Sequence, residues 1–388
     1  MRRLLTLACF FVLLTMRGWA QDSLVWRIDS LVCNDPLLDT SQLGMMVYDL
    51  TADSAVFTYN HRQTMRPAST MKLVTAITAL AYLGGDYQLK TSLSYSGEIE
   101  NGTLTGNLYL VGGMDPMFEQ TDLMDFAERV RFLGVDRLRG SIVTDCSMKD
   151  TLRWGEGWCW DDDNPTLTPL LVNRKANFVD RFVRALTEVG ITIDSLTLFE
   201  DFPPLDDIPL MTCRHSIDQL LLRMMKESDN LYAECLFYQL AARYGDRPAR
   251  AIHARTLEKQ LVNSLGLDSG NYKFADGSGL SLYNYVSPEM LTLLLRYAWQ
   301  TPQVYGHLWA SLPVAGQDGT LKKRMRRTPA DGNVHAKTGT LTGIISLAGY
   351  LTAANGHEFC FAIINQGTMH WREARDFQDR VCVALCGK

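Results

Sequence analysis

A chain of 388 residues, 46% apolar and 21% charged, holds enough hydrophobic material for two or three domains and excludes a disordered chain, a collagen or a coiled coil. Its 38 basic and 43 acidic residues leave a formal charge of −5, which argues against a nucleic-acid groove, where clustered positive charge is needed. Nine cysteines and seven histidines include no Cys-x-x-Cys and no His-Glu-x-x-His, so neither a metal centre nor a cofactor is expected.

The first twenty residues read as an export signal. Arg2 and Arg3 precede an apolar stretch, Leu4 to Leu14, too short for the roughly 20 residues that span a bilayer. Gly18 and Ala20 then stand at the −3 and −1 positions of a cleavage site after Ala20. Removal of residues 1–20 takes away three arginines and no acids, moving the charge from −5 to −8. No later segment is apolar for long enough to span a membrane, so a soluble protein of the periplasm or cell envelope is expected. Eight cysteines remain, and export permits disulfides, but buried free thiols are equally compatible with a core this size.

Strands are expected at 44–50 and 55–59, joined by the turn Thr51-Ala52-Asp53-Ser54. A helix follows from the Arg66-Pro67 region to about Leu83, ended by Gly84-Gly85. Leu73, Val74, Ala76, Ile77, Ala79, Leu80 and Ala81 leave it almost no polar face, which marks a buried helix. Residues 89–204 have a β-rich texture, with a hairpin at Asn101-Gly102, three tryptophans at 154, 158 and 160, and the acidic run Asp161-Asp162-Asp163. Phe202-Pro203-Pro204 reads as the linker that closes this insert. Helices are expected over Ile217–Lys226 behind a Ser216 cap, Leu231–Tyr244 and about Ala249–Leu265. Strands at 335–340, 345–352 and 358–365 and a helix over about Trp371–Leu385 complete the chain. Two early and three late strands make one five-stranded antiparallel sheet, so the expectation is an α/β layered fold with a β-rich inserted domain. The catalytic part would be 21–88 plus 205–388, split by the insert 89–204.

Three motifs carry chemistry. Ser69-Thr70-Met71-Lys72 brings a hydroxyl and an amine to one face of a helix start. Serine needs an adjacent base, and a lysine in an apolar site loses stability as a cation, so its pKa falls towards that of a useful base. The Ser69 N–H, free of intrahelical partners, is an oxyanion donor candidate. Ser228-Asp229-Asn230 follows 159 residues later and offers a proton-passing hydroxyl and an orienting amide. Lys337-Thr338-Gly339-Thr340, on a strand, offers a fixed charge, a glycine that admits a substrate backbone, and a second oxyanion donor at the Thr340 N–H. Alone, each motif is ambiguous: a surface serine and lysine, a turn, an edge-strand lysine.

In this order the three motifs form the signature set of penicillin-recognising serine enzymes. With Asp276-Gly277-Ser278-Gly279-Leu280-Ser281, Asp318-Gly319-Thr320-Leu321 and Ser346-Leu347-Ala348-Gly349-Tyr350, nearly the whole mature chain resembles the D-alanyl-D-alanine carboxypeptidase/endopeptidase family, the low-molecular-mass class C penicillin-binding proteins. The resemblance implies a penicillin-recognising serine transpeptidase-like fold. It implies that Ser69 attacks the carbonyl between the last two D-alanines of a peptidoglycan stem peptide, with Lys72 taking its proton. Ser228 and Asn230 would shuttle protons and position Lys72. Lys337, Thr338 and Thr340 would hold the terminal carboxylate, with Gly339 beside them. Water would release the acyl-enzyme, cross-links would also be cut, and β-lactams would acylate Ser69. Asp115, before Pro116, resembles an insert aspartate that contacts the amino group of the third stem residue; its other reading is a turn aspartate. Leu282 stands where several relatives carry a basic residue.

Two other readings compete. A serine β-lactamase would need a deacylating glutamate; Glu258-Lys259-Gln260-Leu261 resembles that motif superficially but reads as a surface helix. A non-catalytic, peptidoglycan-binding envelope protein would not need the intact set Ser69, Lys72, Ser228, Asn230 and Lys337. The basic run Lys322-Lys323-Arg324, with Arg326-Arg327, reads as a solvated face.

Overall fold

A computed structural model of the chain describes residues 24–194, 197–244 and 247–387. The expected signal peptide, 1–20, lies outside the described residues.

Helix α1 (24–34) precedes strands β1 (Gln42–Asp49) and β2 (Ser54–Tyr59) and helix α2 (Met71–Leu83). Then come β3 (Gln88–Tyr95), β4 (Glu98–Glu100), β5 (Thr103–Thr105), β6 (Leu108–Val111), α3 (Gln120–Phe132), β7 (Arg137–Arg139) and β8 (Ser141–Asp145). Helix α4 (Phe178–Glu188), β9 (Thr192–Ile193), β10 (Thr197–Glu200) and β11 (Ile208–Ser216) follow. A helical stretch holds α5 (Ile217–Lys226), α6 (Asn230–Tyr244), α7 (Ala251–Ser264), α8 (Pro288–Gln300) and α9 (Pro302–Ser311). Strands β12 (His335–Leu341), β13 (Ile344–Thr352) and β14 (Glu358–Gln366) and helix α10 (Trp371–Cys386) end the chain.

The chain's two ends build the expected antiparallel sheet, in the order β12-β13-β14-β1-β2. The seam is β1 on β14, with Gln42 opposite Gln366 and Asp49 opposite Phe359. Helices cover both faces, so β13 is buried from Ile344 to Leu351. Period-two alternation sorts its side chains. Ala348 and Tyr350 enter a core shared with α2 and α5–α9, while Ile345, Leu347 and Leu351 enter one shared with α1 and α10. Every residue of α2 from Met71 to Leu80 is buried, Lys72 included, as the apolar sequence requires.

Residues 88–216 carry two smaller sheets, β10-β8-β6-β3-β11 and β4-β5-β7-β9. Their own core includes Leu93, Leu110, Phe118, Phe126, Phe178 and Phe182. Strand β11 lies beyond the Phe202–Pro204 segment and pairs with β3 from Ile208 to Ser216. Its last residue is also the N-cap of α5, where Ser216 Oγ accepts from Gln219 N. All eight described cysteines are free thiols.

Candidate active site

The chain reaches Ser69 through a short 3-10 turn, Ala68–Thr70, before α2 begins at Met71. Ala68 is held at φ +47°, a left-handed conformation that costs an alanine about 1 kcal/mol. Its surroundings enforce it. A Cβ on Gly279 would stand 1.9 Å from the Ala68 carbonyl, so that loop packs directly on the turn. Thr70 Oγ1 and Ser346 Oγ both donate to the Pro67 carbonyl, at 2.7 and 2.6 Å.

Lys72 Nζ lies 3.1 Å from Ser69 Oγ. It also donates to Asn230 Oδ1 and to the Ser278 carbonyl, both at 2.7 Å. All three ammonium protons thus have acceptors, and Lys72 itself is closed to water. Burial lowers the Lys72 pKa to about 8, against the opposing charges of Asp276, Glu234 and Asp229. A sizeable fraction of neutral amine near neutral pH is what a base for Ser69 requires.

The carbonyl of Ser278 is aimed by its own scaffold. Asp276 accepts from Trp158 Nε1 (2.8 Å), Gly279 N (2.8 Å), Ser281 N (2.7 Å) and Asn284 Nδ2 (2.7 Å). Glu234, on α6, accepts from the Gly277 and Ser278 amides at 3.1 and 2.8 Å. Burial, then the Asp276 charge, raises Glu234 to about 8.

The second motif splits its duties. Asn230 reaches Lys72, whereas Ser228 lies on the other lysine: Lys337 Nζ donates to Ser228 Oγ and to the Thr338 carbonyl, both at 2.8 Å. Burial, and then Lys72, holds the Lys337 pKa well below its usual value. Ser228 sits at φ +60°. Between it and Asn230, Asp229 takes Arg174 at 2.8 Å and Arg223 at 3.0 Å and caps α6 through Leu231 N. Asp318 and Thr320, from the Asp-Gly-Thr-Leu motif, brace the same region. Lys226 at the end of α5 pairs with Asp318 at 2.6 Å, and Thr338 Oγ1 bonds Thr320 Oγ1 at 2.8 Å.

Strand β12 is the edge of the main sheet, so it presents backbone groups to a ligand. A Cβ at Gly339 would stand 3.0 Å from Ser69 N and 2.8 Å from the Pro67 carbonyl; only glycine lets the strand pass so close to the Ser69 amide. Thr340 is exposed, and its Oγ1 accepts from Arg375 at 3.1 Å, a neighbour that no motif announces.

Asp115 is fully buried: its Oδ1 accepts from Met117 N, and its Oδ2 lies 2.6 Å from His215 Nδ1. Both oxygens serve the chain's own turn and ion pair, the arrangement expected of a turn aspartate. Asp115, His215 and Cys213 put one ligand-type atom each within 4.8 Å of one another, and the ion pair accounts for the arrangement without an ion. The insert packs against the Asp276–Tyr283 loop through Trp158, which bonds Asp276, and through Gly157, which abuts Ser281 and Tyr283. Glu258 is not on a surface face. It is fully buried, receives Thr75 Oγ1 at 3.4 Å, and burial raises its pKa far above the carboxylate range. In the basic run, Lys322, Lys323, Arg326 and Arg327 are exposed, but Arg324 is buried on Asp379 at 2.7 Å.

Residues 24–174 and 168–385 match the D-Ala-D-Ala carboxypeptidase 3 (S13) family. The chain is 26% identical to the D-alanyl-D-alanine carboxypeptidase DacB of Haemophilus influenzae, over 84% of this chain and 85% of the relative. It is 27% identical to the D-alanyl-D-alanine carboxypeptidase of an Actinomadura species, over 87% and 80%. The crystal structure of penicillin binding protein 4 (dacB) from H. influenzae superposes with a TM-score of 0.83 at 24% identity, over 91% of this chain and 97% of that one. A predatory endopeptidase of Bdellovibrio bacteriovorus shares the fold with a TM-score of 0.59 at 17% identity, over 87% and 91%. The motif set, the paired sheet ends and the family match over almost the entire described length lead to one assignment: the chain belongs to the D-Ala-D-Ala carboxypeptidase 3 (S13) family of hydrolases.

Proposed function

We propose that the protein is an exported DD-peptidase that works through an acyl-enzyme on Ser69. Neutral Lys72 takes the Ser69 proton as Oγ bonds to the carbonyl of the penultimate D-alanine. The Ser69 and Thr340 N–H groups face the developing oxyanion. The C–N bond breaks as the leaving amine takes a proton from Ser228 Oγ, which the proton held by Lys72 replaces, so that Lys72 is neutral again. Water then cleaves the ester and frees Ser69. The observation that carries this reading is Lys72 Nζ, buried and 3.1 Å from Ser69 Oγ, with Asn230 and Ser278 as its other acceptors.

The same serine would be acylated by β-lactams, in keeping with the H. influenzae relative, whose structure was also solved complexed with a novel β-lactam. Cutting of cross-links is included in the proposal. Among the described residues no helix is long and apolar enough to cross a membrane.

Intact-mass measurement after penicillin treatment tests the core of this. Wild type is expected to gain one penicillin mass and Ser69→Ala none. A wild-type protein without an adduct would overturn the assignment of Ser69. Purified pentapeptide and cross-linked muropeptides then report trimming and cross-link cleavage separately.

A further inference from the structure

Arg375 occupies an unusual electrostatic position. It lies on the second turn of α10, half-buried, and donates to Thr340 Oγ1 at 3.1 Å. Its guanidinium lies over the Trp371 ring, 4.4 Å from the centroid, a ring that Arg372 also approaches at 5.0 Å. Among the described residues it has no carboxylate within ion-pair distance. The acid that favours its charge, Asp379, is already held by Arg324 at 2.7 Å. Two guanidiniums therefore share one carboxylate, and the surplus positive charge lies against Thr340. Burial, and then Arg324, disfavours the charge on Arg375, so an incoming anion would relieve it.

The lysine expected to supply that charge is poorly placed for it. Lys337 is fully buried, donates to Ser228 Oγ and the Thr338 carbonyl, and is disfavoured as a cation by burial and by Lys72. Guanidinium, in contrast, stays charged at any working pH and binds carboxylate in a two-pronged fork. Thr338 and Thr340, two residues apart on an edge strand, point to the same face. Arg375 stands at the Thr340 end of that face.

We propose that Arg375 is the specificity-determining cation of this site: held by Thr340 and Trp371, it pairs with the α-carboxylate on the leaving side of the scissile bond. This rests on the peptidase reading above and deepens it, assigning carboxylate recognition to a helix outside every motif.

The test compares a diacylated peptide ending in D-Ala-D-Ala with its C-terminal carboxamide, on wild type, Arg375→Gln and Arg375→Lys. In wild type the acid is preferred. In Arg375→Gln the acid-to-amide ratio of kcat/KM is expected to fall about 10- to 100-fold, the range of a charge-assisted hydrogen bond. Arg375→Lys restores part of it. Because both substrates meet the same folded molecules, partial misfolding lowers both rates and leaves the ratio intact. An Arg375→Gln protein with the wild-type ratio would overturn the proposal while the peptidase reading stands. A wild type that cleaves neither substrate and forms no Ser69 adduct would overturn both.

Discussion

At Lys72 the cost of burying an ammonium sets the chemistry. Its folded pKa, about 8, lies below the ordinary 10.5, so the neutral amine grows as pH rises through about 8. Acylation of Ser69 by a fluorescent penicillin should rise about tenfold per pH unit well below that value and level off above it. A flat profile between pH 6 and 9 in stopped-flow measurements would remove Lys72 from the base role. Glu258 makes the opposite case. Burial raises its pKa far above the carboxylate range and so favours the neutral acid, and one of its oxygens is unpartnered. Glu258→Gln should therefore keep the fold and hydrolyse bound penicillin within about twofold of the wild-type rate. Loss of deacylation in that variant would revive the β-lactamase reading. Ser69, Lys72, Ser228, Asn230 and Lys337 were legible as a set because their three motifs combine residue types suited to acyl transfer, and the fold brings Lys72 to Ser69 and Asn230 and Lys337 to Ser228. Glu258 was legible too, through a signal easily passed over. The buried positions of α7 are Ala254, Leu257, Glu258, Leu261 and Val262, so the glutamate sits on the helix's apolar stripe. Arg375 was not legible: it lies 306 residues from Ser69, and only the tertiary fold brings α10 against Thr340.

Among the elements, β11 does the most joining. It pairs with β3, caps α5 with its last residue, and carries His215 to Asp115. A proline-rich segment before it read as a linker, because Pro203-Pro204 breaks the strand pattern and Met211 to His215 mixes polar and apolar residues. Pairing with β3, not periodicity, makes it a strand. The His215–Asp115 pair should make stability depend on pH. The hydrogen bond to Asp115 raises the His215 pKa above 6.5, with Asp122 and Glu119 adding to it and burial opposing. A raised folded pKa means the unfolded state binds the proton less tightly. The pair's contribution is thus complete below pH 6.5 and is lost as pH rises through the folded value. Urea denaturation should show His215→Gln destabilised at pH 5.5 and progressively closer to wild type as pH is raised through that value. A constant difference between the two proteins across this window would exclude the ion pair as the source.

Across the whole molecule, the catalytic parts depend on segments far apart in the chain. The sheet needs β1 and β2 from one end and β12 to β14 from the other, so its five-stranded form could be inferred from strand spacing at both ends. The contacts between residues 88–216 and the helices could not, because they come from scattered residues: Leu89, Met114, Leu167 and Leu171 enter the helical core, and a backbone bridge joins Lys149 to Ala249. Trp158 donates to Asp276, Arg174 pairs with Asp229, and Gln239 donates to the Gly113 carbonyl at 2.6 Å. The first two end on residues that support Lys72, through the Ser278 loop, and the Ser228–Asn230 loop. The orientation of residues 88–216 should therefore be felt at Ser69. Trp158→Phe keeps an aromatic ring, though a smaller one, and removes one charge-assisted hydrogen bond, which alone is worth about 1.5–3 kcal/mol. Asp276 keeps its other donors, so the loop survives with a less firmly aimed Ser278 carbonyl. Acylation by penicillin should slow several-fold, and hydrogen exchange should quicken at Gly277–Ser281 while the amides of β13 and β14 stay protected. Wild-type acylation in Trp158→Phe would mean that residues 88–216 pack beside the active site without tuning it.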